Sequence, residues 1–456
     1  MKIQYKTLLT IAVIAASGLY AQAQSSGVVA KPPYSVSVFA PPPPAGLKLK
    51  NPDSITTAHG NIFVVYANGT NPDGSGGFST IVEYSPTGTM LTSFTVPGKS
   101  DGLKYNRYDH RLWALRNEDS NPMLTLIDPK NGNQTPYTYA VSPAPHGGGY
   151  DDVVFLNGEI FISASNPTVN PAGQNVFPSV GKVHLSGGKV FVAPVLWGNA
   201  SLFDMATGKK VVSLQADPDS LKVDSAGDLV LDSQADGDLI FINAPGSPNQ
   251  AALRLHLTIG TSKKITVDDT VFPTTPSGTI YLVDTKGNTV YAIKSEAFQP
   301  GGAYSASDSD GSLGKVDLST GLVTPVVSGM GTPHGALFVS AFSDVSVSRS
   351  DDLSLQGQNV DVAFTVERGG DISKEIEVKY VVKDLASEKN DNRQFAGSVK
   401  IEAGKSEAEF KVPITTIREI LEDGATQEAT VLLEGGKGYN VTKPATASIK
   451  LKDFAK

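Results

Sequence analysis

One recurrence constrains this chain more than any other feature. Six times an Asp or His leads directly into a short apolar strand: Pro52-Asp53-Ser54-Ile55, Ser100-Asp101-Gly102-Leu103, Asp151-Asp152-Val153-Val154, Pro218-Asp219-Ser220-Leu221, Asp268-Asp269-Thr270-Val271 and Pro333-His334-Gly335-Ala336. Counted along Asp53, Asp101, Asp152, Asp219, Asp269 and His334, the intervals are 48, 51, 67, 50 and 65 residues. Each interval holds further strand-like segments. In the first they are NIFVVYA (61–67), STIVEYS (79–85) and TMLTSFTV (89–96), with turns HGN and PTG at the first and last junctions. LVLDSQADGDLIFI (229–242) and IYLVDTKGNTVYAI (280–293) match almost position for position. A period of about 40–50 residues containing several short strands is the pattern of a β-propeller.

Six blades are expected over residues 45–342, with five or seven left open. The strand after His334 has no followers, so YSVSVFA (34–40), at the end of an extended lead-in over 24–44, is expected to complete a blade across the chain ends. Charge density then changes. Residues 344–456 carry 16 Lys+Arg and 20 Asp+Glu among 113 residues, leaving 48 charged residues for the first 343. Such a shift marks a domain boundary. The alternating segments VDVAFTVERGG (360–370), EIEVKYVVK (375–383), GSVKIEAGKSEAEFKVPI (397–414) and ATVLLEGGKGYNVTKPATASIKL (429–451) read as a β-sandwich over 343–456.

The first 23 residues read as a cleaved export signal. Lys2 and Lys6 precede the apolar run from Leu8 to Tyr20, and Ala21-Gln22-Ala23 is a small-x-small cleavage site. No later segment reaches the roughly 18 apolar residues of a membrane helix. The expectation is a secreted or periplasmic monomer. With no Cys at all, lipid anchoring through a thioether, disulfides, zinc–thiolate sites and cysteine catalysis are excluded. A net charge of -8 gives no basic face for nucleic acid.

The motif P-x-x-[IL], followed by G-x-[IL]-[YFV]-V and D-[ST], resembles the NHL repeat and, more distantly, the gluconolactonase-like six-bladed propellers. The likeness spans residues 34–340. What it implies for activity is a lactonase or esterase whose central cation polarises a carbonyl while an Asp acts as base. Only Asp219, in Pro-Asp-Ser, matches that family's acidic ligand. Asn51-Pro52-Asp53 stands where the family has a Glu, and Asp101 and Asp152 stand where it has Asn. In the tail, TVERGG, IEAGKSEAEFKVPI and LEDGATQEATVLLEG resemble the Calx-beta domain, an immunoglobulin-like sandwich associated with calcium. That resemblance implies calcium ligands at Glu422, Asp423 and Glu428, with Asp351 and Asp352 as partners; Ile417-Arg418-Glu419 replaces the family's Asp pair.

In a propeller the first residue of each innermost strand lies at the channel mouth. Asp53, Asp101, Asp152, Asp219, Asp269 and His334 are therefore expected to form a ring, and carboxylates so close repel unless a cation or hydrogen bonds compensate. Calcium on Asp101, Asp152, Asp219 and Asp269 is one way to hold them. The other is structural: each Asp caps its own loop in an Asx turn, repeated because the blade is repeated. Asp217, just before the fourth strand, reads as loop. The long connections 68–78 and 166–179 are expected on the same face, as is His146-Gly147-Gly148-Gly149-Tyr150, where His146 and Tyr150 could contact a ligand. No G-x-S-x-G, H-E-x-x-H or P-loop occurs. Two function classes follow: binding of a small molecule, a surface glycan or a protein, and metal-dependent hydrolysis with Asp219 as catalytic residue.

Overall fold

The computed structural model describes residues 27–40, 43, 47, 49–260, 263–349, 361–383, 394–413, 428–442 and 444–450. Among them every regular element is a β-strand. The first sheet is a four-stranded antiparallel meander, Pro52–Ala58, Asn61–Tyr66, Phe78–Tyr84 and Met90–Pro97. Two more meanders, beginning at Ser100–Asn106 and Tyr150–Leu156, share one eight-stranded sheet because their outermost strands pair in parallel, Thr138 opposite Lys189. A fourth begins at Pro218–Val223 and carries Ser201–Asp204 on its outer edge.

The last two units are interleaved. Thr270–Val271 is the inner strand of the fifth, and its neighbour in the sheet is Ala303–Ser307. The hairpin Gly278–Asp284 and Thr289–Ser295 instead joins Pro333–Ser340, placing Leu282 opposite Ala336. The chain thus leaves the fifth unit, builds the middle of the sixth, and returns. The outgoing and returning segments are tied together where Gly301 N donates to Pro273 O and Phe298 N to Pro276 O, both at 2.9 Å. Its match to LVLDSQADGDLIFI marks IYLVDTKGNTVYAI as a hairpin of the repeat, but a hairpin carries no mark of which inner strand it will join. Ser35–Val38 supplies the outer strand of the sixth unit, pairing Val38 with Tyr291 across the chain ends as expected.

The ring is closed by packing. The inner strands Pro52–Ala58, Ser100–Asn106 and Tyr150–Leu156 touch in succession, and Pro333–Ser340 touches Pro52–Ala58. Each hydrophobic cluster of this region is shared by two consecutive units: Phe63 and Val65 with Leu103 and Leu112, for example, and Ile55 and Val64 with Tyr281 and Val283 at the closure. Fully burying one such aliphatic or aromatic side chain is worth about 1.5–3 kcal/mol.

After Ser340 the chain enters two further four-stranded sheets. Val345, Phe364 and Phe410 of one pack with Val378, Val382 and Leu433 of the other in a common core. The sheet that holds Val345 and Phe364 docks at the far ends of the first inner strands. Arg107 reaches Glu367 at 3.7 Å and bonds Ser346, while His59 Nδ1 lies 3.3 Å from Ser406 Oγ. Glu422, Asp423, Asp351 and Asp352 fall outside the described residues, and Glu428 lies in the strand Glu428–Glu434.

Candidate functional site

The mouth of the ring is built by one local irregularity repeated. Along the first inner strand, Pro52 faces Tyr66 and the next ladder partner is Ile55 opposite Val64, so Asp53 and Ser54 are squeezed out of the ladder. The same two-residue skip occurs at Asp101-Gly102, Asp151-Asp152, Asp219-Ser220 and His334-Gly335. In the fifth unit Asp268 N donates to Ala306 O and Ala306 N to Asp269 O before the ladder resumes at Thr270. A bulge re-aims side chains out of the sheet plane. Here it explains why an apolar strand opens on an acid.

The ladder also corrects the register of the ring. The residues in the first bulge position are Asp53, Asp101, Asp151, Asp219, Asp268 and His334. Asp152 and Asp269, expected at that position, occupy the second one together with Ser54, Gly102, Ser220 and Gly335. In a doublet either Asp fits the repeat, and only strand pairing decides between them. The two positions do different work. The second one reaches sideways to the next inner strand: Ser54 Oγ accepts Leu103 N at 3.2 Å, Asp152 Oδ2 accepts Leu221 N at 3.2 Å, and Asp269 Oδ2 accepts Ala336 N at 2.7 Å. Lys104 Nζ reinforces Asp152 at 3.0 Å, and Lys222 Nζ reinforces Asp269 at 2.6 Å.

The strands that receive these bonds carry Gly102, Ser220 and Gly335 in their own second position. A Cβ at Gly102 would lie 1.9 Å from the Asp151 carbonyl oxygen. Gly102→Ala is therefore expected to cost about 1–3 kcal/mol by overpacking, read as a lower urea midpoint.

The first-position side chains line a cavity of about 210 Å³. Its wall holds ten acids, the five of the ring with Asp152, Asp269, Glu118, Asp119 and Asp217, against Lys99 and His334; among the described residues no aliphatic side chain and no Phe, Tyr or Trp lines it. Lys99 Nζ pairs with Asp101 Oδ1 at 2.8 Å and with Glu118. His334 Nδ1 sits 3.2 Å from Asp268 Oδ1 and 3.5 Å from Asp53 Oδ1. Gln234 Nε2 donates to Asp268 Oδ1 at 3.1 Å.

The electrostatic consequence is uneven. Burial, then the charges of Asp151 and Asp268, push the Asp219 carboxyl well above the usual range. Burial and Glu118 do the same to Asp151, and to Asp101 in spite of Lys99. Asp268 is pushed up to about 8 by burial, with the His334 charge opposing. Asp217 rises to about 6 through burial and the charges of Glu118 and Asp119. Asp53 goes the other way: burial would raise it, but the His334 hydrogen bond and charge hold it at about 2. Burial would lower His334, yet Asp268 and Asp53 carry it up to about 10. Two buried oxygens of the wall, Asp101 Oδ2 and Asp269 Oδ1, have no hydrogen-bond partner among the described residues.

Other expectations fare differently. Tyr150 does not line the cavity; it stacks on Tyr139 with centroids 4.4 Å apart. His146 is buried and bonds Gly149 O at 2.6 Å, so it braces its own glycine turn. Of the two long connections, 166–179 reaches the cavity through Asn166, whereas 68–78 does not. Asp217, read as loop, lines the wall, as do Glu118 and Asp119 of the short connection after Arg116. The signal for those two was present in Asn117-Glu118-Asp119, a pair of acids on the mouth side of a unit. Among the described residues no group of three or more His, Asp and Glu side chains is placed to hold a metal ion.

No protein-family model matches this chain, and no curated protein matches it. Among solved structures it is similar to the periplasmic gluconolactonase of Pseudomonas aeruginosa, with 14% identity and a TM-score of 0.38 over 64% of this chain and 88% of that one. It is also similar to virginiamycin B lyase from Staphylococcus aureus, with 10% identity and a TM-score of 0.36 over 83% and 98%. The apo Calx CBD1 domain matches with 19% identity and a TM-score of 0.17 over 24% and 93%. The propeller assignment therefore rests on the strand pairing of this chain itself. Among the described residues no helix is long and apolar enough to cross a membrane.

Proposed function

We propose that this chain is an exported, monomeric six-bladed propeller that binds a small ligand at its channel mouth, followed by a Calx-beta-like sandwich that spaces it or contacts a surface. One observation carries the reading. Five acids and a His are lifted out of six inner strands by bulges into one polar cavity, where burial keeps several of them from ionising. Groups that strain one another in this way mark sites built for a partner more often than for stability. The backbone N–H groups of the neighbouring inner strands are held by Ser54, Asp152 and Asp269, while the first-position side chains line the cavity.

Thermal melting against a panel of metal ions including calcium, sugars and lactones tests it. A shift of melting temperature that vanishes in Asp219→Asn/Asp268→Asn is expected. If no compound shifts the melt, or the shift survives in the variant, the reading fails.

The second reading is hydrolysis of a lactone or ester. It draws support from Asp268, whose carboxyl near 8 beside His334 can give or take a proton around neutral pH. Asp219, the residue matched by resemblance, is pushed well above the usual carboxylate range by burial and could act as base only once a cation favours its ionised form. Equal rates for wild type and Asp219→Asn on lactones and aryl esters would reject it.

A further inference from the structure

We infer that the ligand of this cavity is a small hydrophilic amine carrying at least two ammonium groups, seated between neighbouring acids of the ring. This rests on the reading of the mouth as a binding site and adds the chemical class of the occupant.

Charge comes first. With Asp152 and Asp269 already paired to Lys104 and Lys222, eight of the ten acids face Lys99 and His334 among the described residues. A cationic occupant would let these acids ionise together, which burial and mutual repulsion otherwise oppose.

Geometry then selects the kind of cation. A divalent ion needs several oxygens converging at about 2.0–2.6 Å, and no such group exists among the described residues. The acids are instead contributed one by one from successive inner strands around a cavity of about 210 Å³. That is room for a molecule of several non-hydrogen atoms, with charges spaced to match separate acids.

Hydrogen bonding narrows it further. Asp101 and Asp269 are 5% and 2% exposed, line the cavity, and each keep one oxygen without a partner among the described residues. An ionised carboxylate only accepts, so these oxygens call for N–H or O–H donors, and an ammonium offers three. Asp101 is held well above the usual carboxylate range, in part by a side-chain hydrogen bond with Asp53 that favours its acid form. A cationic donor would replace that proton. The absence of aliphatic side chains and of Phe, Tyr and Trp from the wall among the described residues argues against a greasy amine.

The test is calorimetric titration of the full chain with putrescine, spermidine, glucosamine, calcium chloride and gluconolactone, repeated on Asp219→Asn/Asp268→Asn. The variant removes repulsion and is expected to fold, which its melting curve checks. The expected result is binding of putrescine or spermidine, weaker by roughly 10–100-fold in the variant, as loss of charge-assisted bonds gives. Glucosamine, with one ammonium group, is expected to bind more weakly than either. Amine binding undiminished in the variant overturns the inference. If calcium or gluconolactone binds in a variant-sensitive way and neither polyamine does, the amine assignment falls while the cavity reading stands. If nothing binds, both fall.

Discussion

Lys222→Met is expected to lower the stability of the fold by about 3–5 kcal/mol, the usual cost of breaking a buried ion pair from one side. Lys222 Nζ meets Asp269 Oδ2 at 2.6 Å, and that carboxylate is 2% exposed. Its remaining bond would be the one from Ala336 N, with Oδ1 already unpartnered. Asp232, itself pushed well above the carboxylate range by burial and by the Asp269 charge, would lose the opposing influence of Lys222. The effect should extend to ring closure, because Asp269 ties the fifth inner strand to the sixth. Urea denaturation measures it; adding Asp269→Asn to Lys222→Met should recover part of the loss by removing the stranded charge.

The second large effect concerns pH. Stability is expected to decline as pH rises between about 5 and 9, a window in which most proteins are near their maximum. The sign follows from the raised acids. Asp217 near 6, Asp268 near 8, and Asp151, Asp219 and Asp101 above the usual range keep protons in the folded state that the unfolded chain releases from its ordinary 3.8 upward. The folded state binds more protons there, so stability falls with rising pH. His334 adds to this on the alkaline side, since its contribution is full below 6.5 and lost as pH climbs toward about 10. Asp53 acts on the acid side only, its contribution disappearing as pH falls from 3.8 toward about 2. Asp219→Asn should flatten the profile and raise stability at about pH 8, each unit of the removed shift being worth about 1.4 kcal/mol. Melting temperatures of both chains across the range measure this; a wild-type profile that rises to pH 8 would contradict it.

Much of this architecture is legible in the sequence, for physical reasons. Strand alternation and turn residues gave the meanders, and the recurrence of Asp before an apolar strand gave the ring, because both are local patterns repeated. The closing strand 34–40 was legible because the unit after His334 lacks followers. What was not legible depends on pairing between distant segments. The interleaving of the last two units depends on which inner strand receives the hairpin 278–295. The position of Asp151 ahead of Asp152, and of Asp268 ahead of Asp269, depends on where each ladder skips. Glu118, Asp119 and Lys99 join the wall through short connections that carry no repeat signal. Tyr150 and His146 looked available beside three glycines, yet packing against Tyr139 and the bond to Gly149 O occupy them.

Adjacent aspartates offer a comparison in which composition, location and substitution are all held constant. Urea denaturation of Asp151→Asn and Asp152→Asn at about pH 8 should give opposite signs. Asp151→Asn removes a carboxyl that strains its neighbours and should raise the midpoint. Asp152→Asn strands Lys104 and weakens the bonds from Val153 N and Leu221 N, and should lower stability by more than about 1 kcal/mol. Shifts of the same sign, or the reverse assignment, would show that the ring does not divide into a cavity-facing and a strand-bracing position.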